Sequence, residues 1–149
     1  MKDTERVLIV LSVLLLVIKM LFGGVDIFIF IILSVLTLYY YCLGFFLINN
    51  IHFEEILKRS AYRHISPVRI IGSIVASMFL SSLIVGILFK LMEYEGSLNL
   101  LAIGLMAVAT VILISLVKYL LTKDRFYLNV IFRFAHWEVL GLIIQAINF

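Results

Sequence analysis

An all-α integral membrane protein is the fold class the sequence predicts, on three observations: an apolar composition, four long runs almost free of charge, and basic residues gathered at one set of run ends. Hydrophobic residues make up 64% of the 149-residue chain and charged residues 14%. The mean hydropathy is +1.21, far from the balance of a soluble domain. Runs 7–22, 25–48, 68–90 and 98–121 are near the length a crossing requires, about 20 residues at 1.5 Å each. A chain this short has room for a single membrane domain over 1–149 and none for an extramembrane domain of ordinary size. Any function must therefore use the bundle or its short loops.

The first run is the shortest, so Glu5 and Arg6 are expected to continue its helix and Lys19 to snorkel toward headgroups. Asp3 and Glu5 occupy what would be the basic region of a signal peptide, and "MLFGG" is a poor cleavage site, so the run reads as an anchor. The second run carries Asp26 at its edge, then Ser34, Thr37, the Tyr39–Tyr41 cluster and Cys42. The tyrosines read as packing or interface residues. Cys42 is the only cysteine, which excludes an intramolecular disulfide and a thiolate metal cluster, and it is expected to pack.

"NNIHFEEILKRSAYRHISP" predicts an amphipathic surface helix over about 51–64. Asn50 can cap it, Phe53, Ile56, Leu57 and Ala61 share a face, and Glu54 with Lys58 and Glu55 with Arg59 have i, i+4 spacing. Ser66 and Pro67 then form an N-cap and first residue for the third span. In that span Ser73, Ser77 and Ser81 recur every four residues, with Gly72 and Ala76 beside them, a small-residue stripe where another helix can approach closely. The partner is either the first span or another copy of the chain.

"LFKLMEYEGS", 88–97, separates the third and fourth runs. Lys90, Glu93 and Glu95 stand beside Gly96 and Ser97, where water or headgroups solvate charge, so they mark a turn and not a buried ion site. The fourth run holds only Thr110 and Ser115 as polar residues between 100 and 117. The segment 126–149 is long enough to cross, yet it would carry Arg133, His136 and Glu138 inward. Insertion costs about 2.5–3.5 kcal/mol for a central Arg while each Leu or Ile returns about 0.3–0.6. The segment is therefore expected as an interfacial, half-inserted or fifth spanning helix, with interfacial placement favoured. If it crosses, Arg133, His136 and Glu138 form the candidate functional polar group.

Ten of the twelve Lys and Arg residues fall in the N-terminal tail, the 49–69 connection or the tail after run four. The positive-inside rule then predicts a cytoplasmic N-terminus and a multi-pass protein of the bacterial inner membrane. The net charge of +3 reflects that topology and contact with the anionic inner leaflet, with no nucleic-acid surface.

"LVIKMLFGGVDIFIFIILSVL" and "ILFKLMEYEGSLNLLAIGLMAV" share a pattern of apolar helix, lysine, aromatic, glycine and apolar helix, which brings Phe22 onto Tyr94 and Gly24 onto Gly96. The four spans thus read as two parallel-repeat hairpins with outer turns marked by Lys19, Gly24, Lys90, Glu93, Glu95 and Gly96. "RFAHWEVLGLIIQA" reads as a third, degenerate copy. A Lys-x-x-His-aromatic turn before Pro or Gly resembles the membrane hairpin of the gliding-motility and type IX secretion motor subunits of the Bacteroidota, and of small uncharacterised membrane proteins with the same turn. Lys19, Lys90 and Arg133 match its basic position, Phe22, Tyr94 and Trp137 its aromatic, and His136 its histidine. The glutamate which that family carries in its second span falls here near Leu36 and Val108, both apolar, against a proton-coupled motor.

Arg59 and His64 form an R-x4-H string that resembles the catalytic signature of HEPN ribonucleases, and implies a membrane-bound, HEPN-like nuclease accessory role as an alternative. The bland origin of the string is the basic loop itself. His52, His64 and His136 are too scattered for metal ligands, phosphate-cradling glycine motifs are absent, and no acid–base pair is expected inside the spans. No catalytic, metal or cofactor-binding residue is assigned. The expected function is a non-catalytic structural or accessory subunit of an inner-membrane complex, forming a homo-oligomer or binding a protein partner. The alternative is a small oligomeric channel or transporter, with the serine stripe facing a pore.

Overall fold

The computed structural model describes residues 2–63 and 65–147, and the described residues contain no strand. Five α-helices run up and down: α1 (Lys2–Phe22), α2 (Asp26–Ile48), α3 (Pro67–Leu91), α4 (Ser97–Thr122) and α5 (Arg125–Ala146). One end of the bundle carries the turns after Phe22 and Leu91 and is called the turn end. The other carries the 49–66 connection and the break before Arg125 and is called the loop end.

Four of these helices, α2 to α5, are long and apolar enough to cross a membrane. The set differs from the sequence expectation at both termini of the chain. α1 is helical, but Glu5, Arg6 and Lys19 interrupt its apolar character. α5 is long and apolar enough despite Arg133 and Glu138, and it lies along α4 and α3, burying Val130, Phe134, Trp137, Gly141 and Ile144. The third copy of the turn is likewise corrected, because Arg133 to Ala146 is uninterrupted helix.

α3 is the central helix, packed against α2, α4 and α5, while α1 rests chiefly on α2. The apolar core runs from Ile29, Leu33 and Leu36 through Leu80, Leu83, Ile84 and Ile87 to Leu101, Leu105 and Val108. α3 and α4 touch backbone to backbone near the turn end. A Cβ at Gly86 would stand 2.8 Å from the Leu101 Cα, and one at Gly104 2.7 Å from the Leu83 Cα, so only glycine permits this approach.

The serine stripe is a helix contact, and its partner is α2 of the same chain. Ser73, Ser77 and Ser81 are all buried. The Ser81 hydroxyl donates to the Thr37 carbonyl (3.2 Å) and Asn49 Nδ2 donates to Ser73 Oγ (2.9 Å). Ser77 lies directly against Gly44, leaving no room for a Cβ there. Ala76 is buried with the stripe. Gly72 is a correction, since it has nothing within 4 Å of a Cβ and faces open space.

Four other expectations meet the structure at the surface. The 88–97 segment turns through Met92 to Gly96, with Glu93 (φ 57°) and Gly96 (φ 77°) left-handed and both Glu93 and Glu95 exposed. The 51–64 stretch is not one amphipathic helix. It forms two single 3-10 turns, Phe53–Glu55 and Arg59–Tyr62, with Leu57 fully outward, because a dozen residues seldom hold a helix without a surface on which to bury its apolar face. His64 of the R-x4-H string and the last two residues of the 126–149 segment lie outside the described residues. Cys42 is exposed and not packed. Ser66 does cap α3, accepting from the Arg69 N–H (3.3 Å) ahead of Pro67.

Candidate functional site

The inward stripe of α1 is partly polar. Glu5, Ser12 and Leu16 are buried, with Leu8 and Ile9 packed against the core beside them, while Val7, Val10, Val13, Leu14 and Val17 face out. The usual soluble pattern is inverted, as expected when the surroundings are hydrocarbon. Ser12 satisfies itself by donating to the Leu8 carbonyl (2.7 Å). Glu5 does not use its own helix.

Glu5 is 4% exposed, and each carboxylate oxygen has a donor from a different helix. Tyr40 of α2 donates its hydroxyl to Oε1 at 2.7 Å. Arg133 of α5 places Nη2 3.1 Å from Oε2. Trp137, one turn beyond Arg133, donates Nε1–H to the Tyr40 oxygen at 3.3 Å and meets the Tyr40 ring edge-on. Burying a lone carboxylate or guanidinium in low dielectric costs several kcal/mol, and the cost is offset only when pairing is accompanied by further hydrogen bonds. Tyr40 and Trp137, both fully buried, supply them.

This pair corrects the expectation that no acid–base pair lies inside the bundle. It also separates the three residues proposed in the tail. Arg133 is at the site. His136 is on the rim, exposed, with its ring 5.5 Å from that of Trp137 and Nδ1 3.3 Å from the Phe132 carbonyl. Glu138 is elsewhere on α5, and its Oε2 is buried without a hydrogen-bond partner among the described residues. Glu5, Tyr40 and Trp137 complete the set, and sequence reasoning missed their role. Its trace is the stripe of Glu5, Leu8, Ser12 and Leu16, spaced three or four residues apart, in a helix otherwise apolar from Val7 to Ile18.

The cluster borders a cleft at the loop end, where α2 continues eight residues past Tyr40, about 12 Å. The cleft is about 210 Å³ and is lined by Glu5, Arg6, Asn50, Asn129 and Arg133 among others. A neighbouring cleft of about 230 Å³ shares Arg6 and Asn50 and reaches Asp3 and His52. Past the cluster, toward the turn end, the core is aliphatic.

α1 is fastened at its other end as well. Lys19 Nζ lies 2.6 Å from Asp26 Oδ1 and donates to the Leu91 carbonyl at 2.6 Å, capping the C-terminus of α3. Lys90, its counterpart in the suggested repeat, makes no ion pair among the described residues. A second polar hub stands at the loop end, where Arg69 donates Nε–H to Asn49 (3.0 Å), pairs with Asp124 (3.8 Å) and stacks 3.4 Å over the Phe126 ring.

No group of three potential ligands among His, Cys, Asp and Glu comes together among the described residues. The chain matches no protein-family model, no curated protein and no solved structure. The function must accordingly be argued from the geometry alone.

Proposed function

We propose that the protein is a non-catalytic accessory subunit of an inner-membrane complex, in which α1 is the helix presented to a protein partner. The observation that carries this reading is the two-ended fastening of α1, by Glu5 to Tyr40 and Arg133 and by Lys19 to Asp26 and Leu91. Between these points its outer flank is a continuous apolar strip, Val7, Val10, Leu14 and Val17. The carboxylate oxygens of Glu5 are both engaged, which supports a fixed electrostatic fastener over a proton carrier. The pore reading loses its former support, since Ser73, Ser77 and Ser81 turn toward α2.

The test is gentle detergent extraction with identification of co-purifying proteins, paired with ion flux from the purified protein in liposomes. A stoichiometric membrane partner, lost when Val10 and Leu14 are both changed to Trp, together with silent liposomes, is the expected result. Specific flux abolished by Arg133 substitution overturns it in favour of a channel that uses the loop-end cleft. The inner-membrane orientation with a cytoplasmic loop end rests on the basic residues. A cysteine at Glu95 should be labelled by an impermeant probe in intact cells and one at Ser60 should not.

A further inference from the structure

The backbone contact of α3 and α4 at Gly86 and Gly104 has an opposite effect at the loop end. There a groove of about 330 Å³ opens between the two helices, floored by Phe126, Tyr127 and Val130 of α5. Its walls are apolar, including Val75, Phe79, Val111 and Ile114, and along α3 it runs from Arg69 to Phe79, about 15 Å at helical rise. That is the depth of one leaflet of a hydrocarbon core about 30 Å thick. Gly72 forms part of the wall, and the open space above its Cα is this groove.

Charge is concentrated at one mouth. Arg69 and Lys118 both line the groove, and no carboxylate lines it. Arg69 spends Nε–H on Asn49 and faces Asp124 across 3.8 Å, which leaves guanidinium N–H donors available. The Lys118 amine is exposed and has no ion pair or hydrogen bond among the described residues. Lys123 and Arg125 stand close in sequence to the mouth, against Asp124 alone. The loop-end cleft is different, since there Arg6 and Arg133 are balanced by Asp3 and Glu5.

We propose that this groove is a site for one anionic phospholipid, with its phosphate held by Lys118 and Arg69 and one acyl chain lying along Gly72 toward Phe79. The inference requires the bundle to span a membrane and is independent of the accessory role. A cationic mouth at headgroup level with an apolar trough of single-leaflet depth matches an amphiphile whose negative charge and chain are joined end to end. An apolar helix of another protein would leave the Lys118 amine without a counter-charge and Arg69 with Asp124 alone.

The experiment is native mass spectrometry of the protein released from micelles doped with phosphatidylglycerol or phosphatidylcholine at equal mole fractions. One phosphatidylglycerol should be retained preferentially. Lys118→Gln should weaken its retention about fivefold, the scale of one lysine's attraction to an anionic surface. Gly72→Leu, whose Cβ would have nothing within 4 Å, extends into the trough and should abolish retention of either lipid at this site, while the fold, read by circular dichroism, stays intact. Lys58→Gln, on the 49–66 connection, removes equal charge elsewhere and should change nothing. Equal retention of the two lipids, insensitivity to Gly72→Leu, or an equal loss with Lys58→Gln would each overturn the proposal. So would a dimer that retains no lipid and dissociates on Gly72→Leu, which would assign the groove to a second copy of the chain.

Discussion

The seams that α3 and α1 make with their neighbours are closed by different physics. α2 meets α3 through small residues, with Gly44 against Ser77 and hydroxyls at Ser73 and Ser81 bonded across or along the helices. α1 meets α5 by one charged bridge, Glu5 to Arg133, beside an apolar trough lined by Val10, Val13, Leu140 and Ile143. In hydrocarbon, apolar side chains gain little by leaving lipid for one another, so helices associate through close packing or through polar groups. The small-residue seam spreads its energy over many weak contacts. The charged seam concentrates it in one place and leaves the surrounding surface open.

Breaking the charged seam should give the largest effect. Arg133→Ala leaves the Glu5 carboxylate buried without its countercharge and should destabilise the bundle by about 3–5 kcal/mol, measured by denaturant unfolding in micelles. The double variant Glu5→Leu with Arg133→Met removes both charges and should recover wild-type stability or exceed it. A double variant no better than the single would mean that shape, and not charge, closes this seam.

How far the sequence foretold these two seams differs for a physical reason. The serine stripe was legible as a contact because small residues at every fourth position lie on one helix face whatever the partner. The three spans α2 to α4, the turn at Glu93–Gly96 and the Ser66–Pro67 start were legible for the same cause, being set by local composition and periodicity. The partner of Glu5 was not, since Arg133 lies near the other end of the chain and no local pattern records a long-range pairing. Arg133 read alone looked too costly to bury, which pushed the tail toward the interface. The cost was real and its compensation lay in α1. The 51–64 stretch failed in the converse way, because its i, i+4 pattern is helical but nothing in the bundle covers Phe53 and Leu57.

The small-residue seam should respond next. Gly44→Ala drives a methyl into Ser77 and should cost about 1–3 kcal/mol through overpacking, in the same unfolding assay. An unchanged stability would show that α2 and α3 separate without penalty. Ser81→Ala, which only removes the bond to the Thr37 carbonyl, should cost about 0.6 kcal/mol, the average for such a bond between membrane helices. A loss above about 2 kcal/mol would show that this seam, too, depends on a single polar contact.

The Glu5–Arg133 bridge also constrains the order of assembly during synthesis. α1 is made before α5, so the residue that neutralises its carboxylate emerges on the order of ten seconds later at translation rates of about 5–20 residues per second. Through that interval α1 has only its contacts with α2 and the Lys19 bridge to hold it. The first of these five helices to leave the ribosome is therefore the last to be locked, and a chain interrupted before α5 would carry in the Glu5 carboxylate, without its countercharge, a signal that it is unfinished.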